Sequence, residues 1–192
     1  MKKTSSTSAW SMYHESIGNT KFMTMNATSD ATTSSTVFNN TSPTSSVFSV
    51  GTADNGNASG QTYIGYFFAE KKGFSKFGSY TGNGNAFGSF IYTGFKPAMV
   101  MIKQSSASGE NWNIYDSKRG GVGAVRKVLY ADTNGAEENK TGGMDFLANG
   151  ISMKGTDGAF NGSATYIYLA FAEEPLVASN GDPATAGSAI SG

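Results

Sequence analysis

The apolar positions of this chain recur with a period of two. In Thr62-Tyr63-Ile64-Gly65-Tyr66-Phe67-Phe68 the side chains of Ile64, Tyr66 and Phe68 fall on one face of an extended backbone. In the segment 165–171 the matching set is Ile167, Leu169 and Phe171. Both triplets are expected to be core, with Tyr63, Tyr166 and Tyr168 pointing the other way, against a second layer or a partner. Ala98-Met99-Val100-Met101-Ile102 is continuously apolar, as a strand buried on both faces would be. Further strands are predicted over 8–14, 21–26, 46–51, 75–80, 88–95, 111–117, 126–132, 144–148 and 150–154, each bounded by Gly, Asn, Ser or Thr. Asn55-Gly56, Asn83-Gly84, Asn134-Gly135 and Asn149-Gly150 offer the positive-φ chemistry of hairpin turns. Residues 28–46 read as a long exposed Thr/Ser-rich loop. No window has the pattern of an amphipathic helix, and Ala136-Glu137-Glu138-Asn139 suits a single turn at most.

The pattern is also duplicated. Trp10-Ser11-Met12-Tyr13 returns 102 positions later as Trp112-Asn113-Ile114-Tyr115. Thr62-Tyr63-Ile64 and Phe68-Ala69-Glu70 return 103 positions later as Thr165-Tyr166-Ile167 and Phe171-Ala172-Glu173. The expected fold is therefore an all-β sandwich over residues 1–177 made of two related halves. Copy one runs from about 3 to 72, connecting strands from 73 to 97, copy two from about 98 to 177, and a polar tail from 178 to 192. Two small sandwiches in tandem are the alternative. The second copy is preceded by the apolar strand 98–102, and the first has no such strand before Lys3. One edge of copy one thus lacks an in-chain cover, which predicts assembly with other copies or other proteins.

Composition narrows the function. Only 15% of residues are charged and the formal net charge is zero, so there is no basic footprint for nucleic acid. The clusters Lys2-Lys3, Lys71-Lys72 and Arg126-Lys127 read as solvated strand ends. The chain has no cysteine, hence no disulfide framework and no thiolate metal site. No apolar run reaches the roughly 20 residues that span a bilayer, and the start Met1-Lys2-Lys3-Thr4-Ser5 lacks the apolar stretch of a signal peptide.

The string from Gly60 through Phe68-Ala69-Glu70 to Asn85, then Tyr92-Thr93-Gly94-Phe95-Lys96-Pro97-Ala98, Trp112 to Arg119, and Phe171-Ala172-Glu173-Glu174-Pro175-Leu176-Val177 resembles a family of repeated β-modules. These modules occur in tail-fibre-like and other virion proteins of marine bacteriophages. The resemblance implies a lectin-like, concanavalin-type jelly-roll sandwich on a virion surface. Its implied partners are other virion proteins, further copies of itself and host surface glycan. It brings no catalytic residues, no cofactor and no membrane insertion.

Candidate chemistry is sparse. His14 is the only histidine and nothing resembling Gly-x-Ser-x-Gly supplies a nucleophile for it, so a solvated strand residue is expected. Glu70 and Glu173 occupy equivalent positions and could pair as glycosidase carboxylates, although duplication alone places them so. An ion pair of Glu70 with Lys71 or Lys72 is the plainer reading. Gly82-Asn83-Gly84-Asn85-Ala86-Phe87-Gly88 resembles a phosphate loop, but lacks the following helix and the Gly-Lys-Ser/Thr ending, and reads as a tight turn. Asp54, Asn55 and Asn57 could offer oxygens to calcium, with an Asx-turn as the alternative. For glycan binding, the candidates are Tyr166, Tyr168, Asn83 and Asn85, aromatic faces beside amide groups. Trp10, Trp112, Tyr13 and Tyr115 share that chemistry, but the return of Trp at one place in both copies favours a core role.

Overall fold

The computed structural model describes residues 1–119 and 124–174, so the tail expected over 178–192 lies outside the described residues. Among the described residues there are thirteen strands: β1 (Lys2–Lys3), β2 (Ser11–Met12), β3 (Lys21–Thr24), β4 (Thr32–Thr33), β5 (Tyr63–Ile64), β6 (Ser75–Thr81), β7 (Phe87–Tyr92), β8 (Pro97–Gln104), β9 (Asn113–Asp116), β10 (Val125–Tyr130), β11 (Glu138–Leu147), β12 (Gly150–Lys154) and β13 (Thr165–Ala172). Single helical turns occur at Glu15–Ile17 and Asp54–Asn57. The protein is an all-β sandwich. Eight antiparallel strands, in the order β6-β13-β8-β9-β10-β11-β12-β7, form a nearly closed sheet, and the smaller sheets β2-β3-β4 and β1-β5 come from residues 1–72.

The large sheet encloses one core, made of Val100, Ile102, Tyr115, Val128, Met144, Ile151, Met153, Phe160, Tyr166, Tyr168 and their neighbours. This reverses the face expected for β13. Tyr166, Tyr168 and Ala170 point inward, while Leu169 and Phe171 are half-buried on the outside. Tyrosine fits inside because the facing strand supplies glycine: a Cβ on Gly78 would lie 2.9 Å from the Tyr168 hydroxyl. Ile167 is buried on the outer face, where it joins Trp112 and Met101 beneath Met12, Met23, Met25 and Ile17 of the first copy.

The duplication is written in matching hydrogen bonds. Tyr63 Oη donates to Asp54 O (2.7 Å) and accepts from Ala58 N (2.8 Å); Tyr166 Oη donates to Gly158 O (2.6 Å) and accepts from Gly162 N (2.9 Å). Asn57 Nδ2 donates to Gly51 O as Asn161 Nδ2 donates to Gly155 O. Trp10 N donates to Asn26 Oδ1 as Trp112 N donates to Asp132 Oδ1. The ladders correspond as well. Pairing of β1 with β5, β2 with β3 and β3 with β4 repeats that of β8 with β13, β9 with β10 and β10 with β11.

Copy one stops short of a closed sheet. Ile64, Tyr66 and Phe68, expected in the core, are 40%, 60% and 63% exposed, because the strand pairs only at Tyr63–Ile64 and no layer covers the rest. The strand expected over 46–51 is irregular coil; its counterpart β12 is held between β11 and β7, and copy one shows no equivalent of β7 among the described residues. The loop 28–46 contains β4 and buries Val37 and Phe38. Residues 136–139 form no helical turn, and Glu138 already begins β11. At Asn149-Gly150 the glycine serves close approach instead of positive φ, since a Cβ on Gly150 would meet Ile91 O at 2.3 Å.

Burial separates two phenylalanines cleanly. Phe160→Ala, which empties a fully buried site, should cost about 3–5 kcal/mol. Phe87→Ala, at a position 87% exposed, should stay within about 0.5 kcal/mol of the parent. Urea unfolding of both variants followed by tryptophan fluorescence checks the pair; equal losses would refute the placement of the core.

Candidate recognition surface

The two ends of the large sheet, β6 and β7, are consecutive in the chain and meet without a backbone ladder between them. At the turn end they are joined, with Ser89 Oγ donating to Thr81 O at 2.8 Å. That turn is held from inside by Asn161, which is fully buried: its Oδ1 accepts from Asn83 N and its Nδ2 donates to Asn83 Oδ1, Asn85 O and Gly155 O. Asn83 and Asn85 are exposed, yet their amides are used within the turn. Asn83 Nδ2 donates to Phe87 O, Asn83 Oδ1 accepts from Asn85 N, and Asn85 Nδ2 donates to Asn83 O. Gly84 supplies the positive φ (64°) the turn needs.

At the other end the strands part, leaving a cleft of about 330 Å³ lined by Glu70, Lys72, Ser75, Lys76, Tyr92 and Thr93, with Gly73 and Gly94. Glu70 pairs with Lys76 at 2.6 Å, not with Lys71 or Lys72, and the hydrogen bond that Lys76 Nζ donates to Glu70 raises the Lys76 pKa. Tyr92 is exposed, and its hydroxyl lies 3.5 Å from where a Cβ on Gly94 would stand. Glu173 is tied elsewhere, to Lys96 at 2.6 Å and Lys118 at 3.5 Å. The equivalent carboxylates are thus each held by their own cations.

A second aromatic surface lies on copy one. Trp10 stacks on Tyr66 with ring centroids 6.1 Å apart, Phe48 meets Phe67 at 4.6 Å, and Phe68 meets its own sequence counterpart Phe171 at 5.8 Å. Val47, Tyr66, Phe67 and Phe68 remain largely exposed there. The two tryptophans consequently differ. Trp112 is fully buried and donates Nε1–H to Thr24 O, while Trp10 is half-buried.

Other candidates turn out to be structural. Tyr166 and Tyr168 are buried, so they line the core and offer no face to a ligand. Asp54, Asn55 and Asn57 diverge within their helical turn: Asp54 pairs with Lys3, Asn55 Nδ2 donates to Ser11 Oγ, and Asn57 Nδ2 donates to Gly51 O. The Asp54 carboxylate, the one charged oxygen donor of the three, is thus engaged by the Lys3 ammonium. Lys3 is accordingly buried, not solvated. Sequence reasoning missed Asn161 and Lys103. Lys103 is fully buried, its Nζ donating to Thr28 O and Gln104 O, and burial lowers its pKa. Asn161 had a legible signal in its alignment with Asn57; Lys103 broke an apolar run and had none.

His14 is buried, contrary to the solvated strand residue expected. Its Nδ1 accepts from Ser16 N and its Nε2 donates to Tyr168 O at 3.3 Å, which requires the neutral Nε2–H form. Burial lowers its pKa from the ordinary 6.5. The unfolded chain therefore binds more protons than the folded one between the depressed folded value and 6.5, and stability rises with pH across that window. Acidification from pH 7 should lower the melting temperature as this proton is taken up, and His14→Gln should flatten that slope. An unchanged slope in the variant would remove His14 as its source.

Over residues 1–175 the chain matches the model of a domain of unknown function, DUF7483, and it belongs to that family. No curated protein and no solved structure matches it.

Proposed function

We propose that this member of the DUF7483 family is a non-enzymatic surface module of a bacteriophage particle, a fibre, knob or capsid decoration that presents β-loops and aromatic side chains to a neighbour or a host. The carrying observation is how the chain divides its side chains. Polar groups with catalytic potential are spent on architecture: His14 on Ser16 N and Tyr168 O, Asn161 on the 83–85 turn, Glu173 on two lysines. Aromatic groups are instead turned outward, among them Tyr66, Phe67, Phe87, Phe90 and Tyr92. The sequence resemblance supplies the virion setting. On a particle, many copies would convert weak individual contacts into firm attachment. Mass spectrometry of purified particles and a cryo-EM map should find the chain on the outer surface. Its absence from complete particles would overturn the reading.

A second reading, a carbohydrate-binding adhesin, is favoured by the seam cleft. Tyr92 offers an exposed aromatic face for a sugar ring, and Glu70 and Lys76 stand beside it to exchange hydrogen bonds with hydroxyls. If host polysaccharide binds there, Tyr92→Ala should weaken retention about tenfold, the value of one good aromatic contact, without moving the melting temperature. The double variant Glu70→Gln, Glu173→Gln should match the parent at background in a reducing-sugar release assay. Release by the parent that the double variant loses would make the protein an enzyme.

A further inference from the structure

β7 carries two aromatic rings on its outer face. Phe90 and Tyr92 are exposed while Ile91 between them is buried, so the alternation of the strand puts both rings on one side. Two residues along a strand advance about 6.6 Å, comparable with the length of one pyranose unit. β12 leaves the Phe90 ring room to lie down, because its neighbour there is Gly150: a Cβ on that glycine would stand 2.7 Å from Phe90 Cζ. The lane of rings runs into the seam cleft, which Tyr92 itself lines. Hydroxyls in the cleft are already used, with Ser75 Oγ donating to Ala69 O and Thr93 Oγ1 to Phe95 O. The charges are not balanced. Glu70 and Lys76 neutralise each other, whereas Lys72 is exposed and has no ion-pair partner among the described residues.

We propose that lane and cleft form one site for a linear acidic polysaccharide, with successive sugar rings on Phe90 and Tyr92 and a sugar carboxylate on the Lys72 ammonium. The apolar face of a pyranose covers an aromatic ring, and the order of the groups along β7 then brings the next substituent to the cleft. A neutral sugar gains nothing from Lys72; a carboxylate gains a charge-assisted hydrogen bond. Both rings sit on a strand paired with β12 at Phe90, Ile91 and Tyr92, so their spacing is set by the backbone before any ligand arrives. The proposal rests on the adhesin reading above and names its ligand. A host glycan retained through Tyr92 without regard to its charge would refute the proposal and leave that reading standing.

The probes are poly-galacturonate and its carboxyl-reduced form, which share a linear backbone and differ in charge. The full chain is run through gels containing either polymer at low ionic strength, and retardation gives the affinity. The parent should bind the acidic polymer at least about tenfold more tightly than the neutral one. Lys72→Gln should remove that preference, whereas Lys21→Gln, at an exposed lysine of β3, should keep it. Phe90→Ala should weaken binding of both polymers about tenfold without moving the melting temperature. Four results would each overturn the proposal: no binding of the acidic polymer, equal binding of the two polymers, a preference that survives Lys72→Gln, or one that Lys21→Gln abolishes as well.

Discussion

The structure turns on the hydroxyl of Tyr166. Inside an apolar core a phenol must place its O–H on an acceptor or forfeit several kcal/mol of hydration. Here it donates to Gly158 O and accepts from Gly162 N, so one buried atom closes the loop 158–162 upon β13. That closure seats Phe160 in the core, where its ring meets Tyr115, and Tyr80 donates its own hydroxyl to Phe160 O. It also fixes Asn161, whose amide reaches the 83–85 turn. The seam between β6 and β7 is therefore set by an interaction on the opposite side of the core wall.

The same clasp, built on Tyr63, organises copy one, but with a smaller content. Where copy two has Phe160, copy one has Gly56, and the space is taken by the Met1 side chain, whose Cε lies 2.7 Å from where a Cβ on Gly56 would stand. A glycine in place of a plug leaves little interior to enclose. Copy one consequently works through its outer face, and the residues it lays on copy two are Met12, Met23 and Met25, with Ile17 and Ala31. Unbranched thioether side chains conform to an uneven partner such as the Trp112 indole, which suits a junction between two related but unequal surfaces.

Much of this was legible in the sequence, because the period of two and the repeat are carried by backbone-dictated positions. The strands expected at 75–80, 88–95, 111–117, 126–132 and 150–154 correspond to β6, β7, β9, β10 and β12 within a few residues. What failed was the inside-outside assignment of β13. A strand with Tyr on one face and Ile, Leu and Phe on the other reads as apolar on the second, and hydropathy does not reveal that Gly78 on β6 and Gly82 just after it leave room for rings on the first. The sites failed for a related reason. Tyr166 and Tyr168 have the chemistry of sugar-stacking residues, and only burial distinguishes a ring that stacks on a ligand from one that fills a core. Tyr92, which the structure leaves at the cleft, has no counterpart in the repeat, and the string it opens carried a family resemblance without marking a site.

Equal sequence does not entail equal burial, and the pair Phe68 and Phe171 shows why. The two occupy the same repeat position and touch each other, yet Phe171 is half-buried among Phe68, Phe74 and Phe77, whereas Phe68 is largely exposed. Phe171 lies on a strand paired along both edges, so its backbone is fixed and neighbouring side chains can close around it. Phe68 lies beyond the last paired residue of β5, where the chain has no second strand to fix its direction. Pairing thus comes before packing in this fold: a repeated apolar residue becomes core only where the ladder on either side of it is complete. Copy two has completed its ladder with strands from the connecting segment 73–97. Copy one does not share that pairing, and it serves as the cover of one wall of the large sheet, with Tyr66, Phe67 and Phe68 outside any ladder among the described residues.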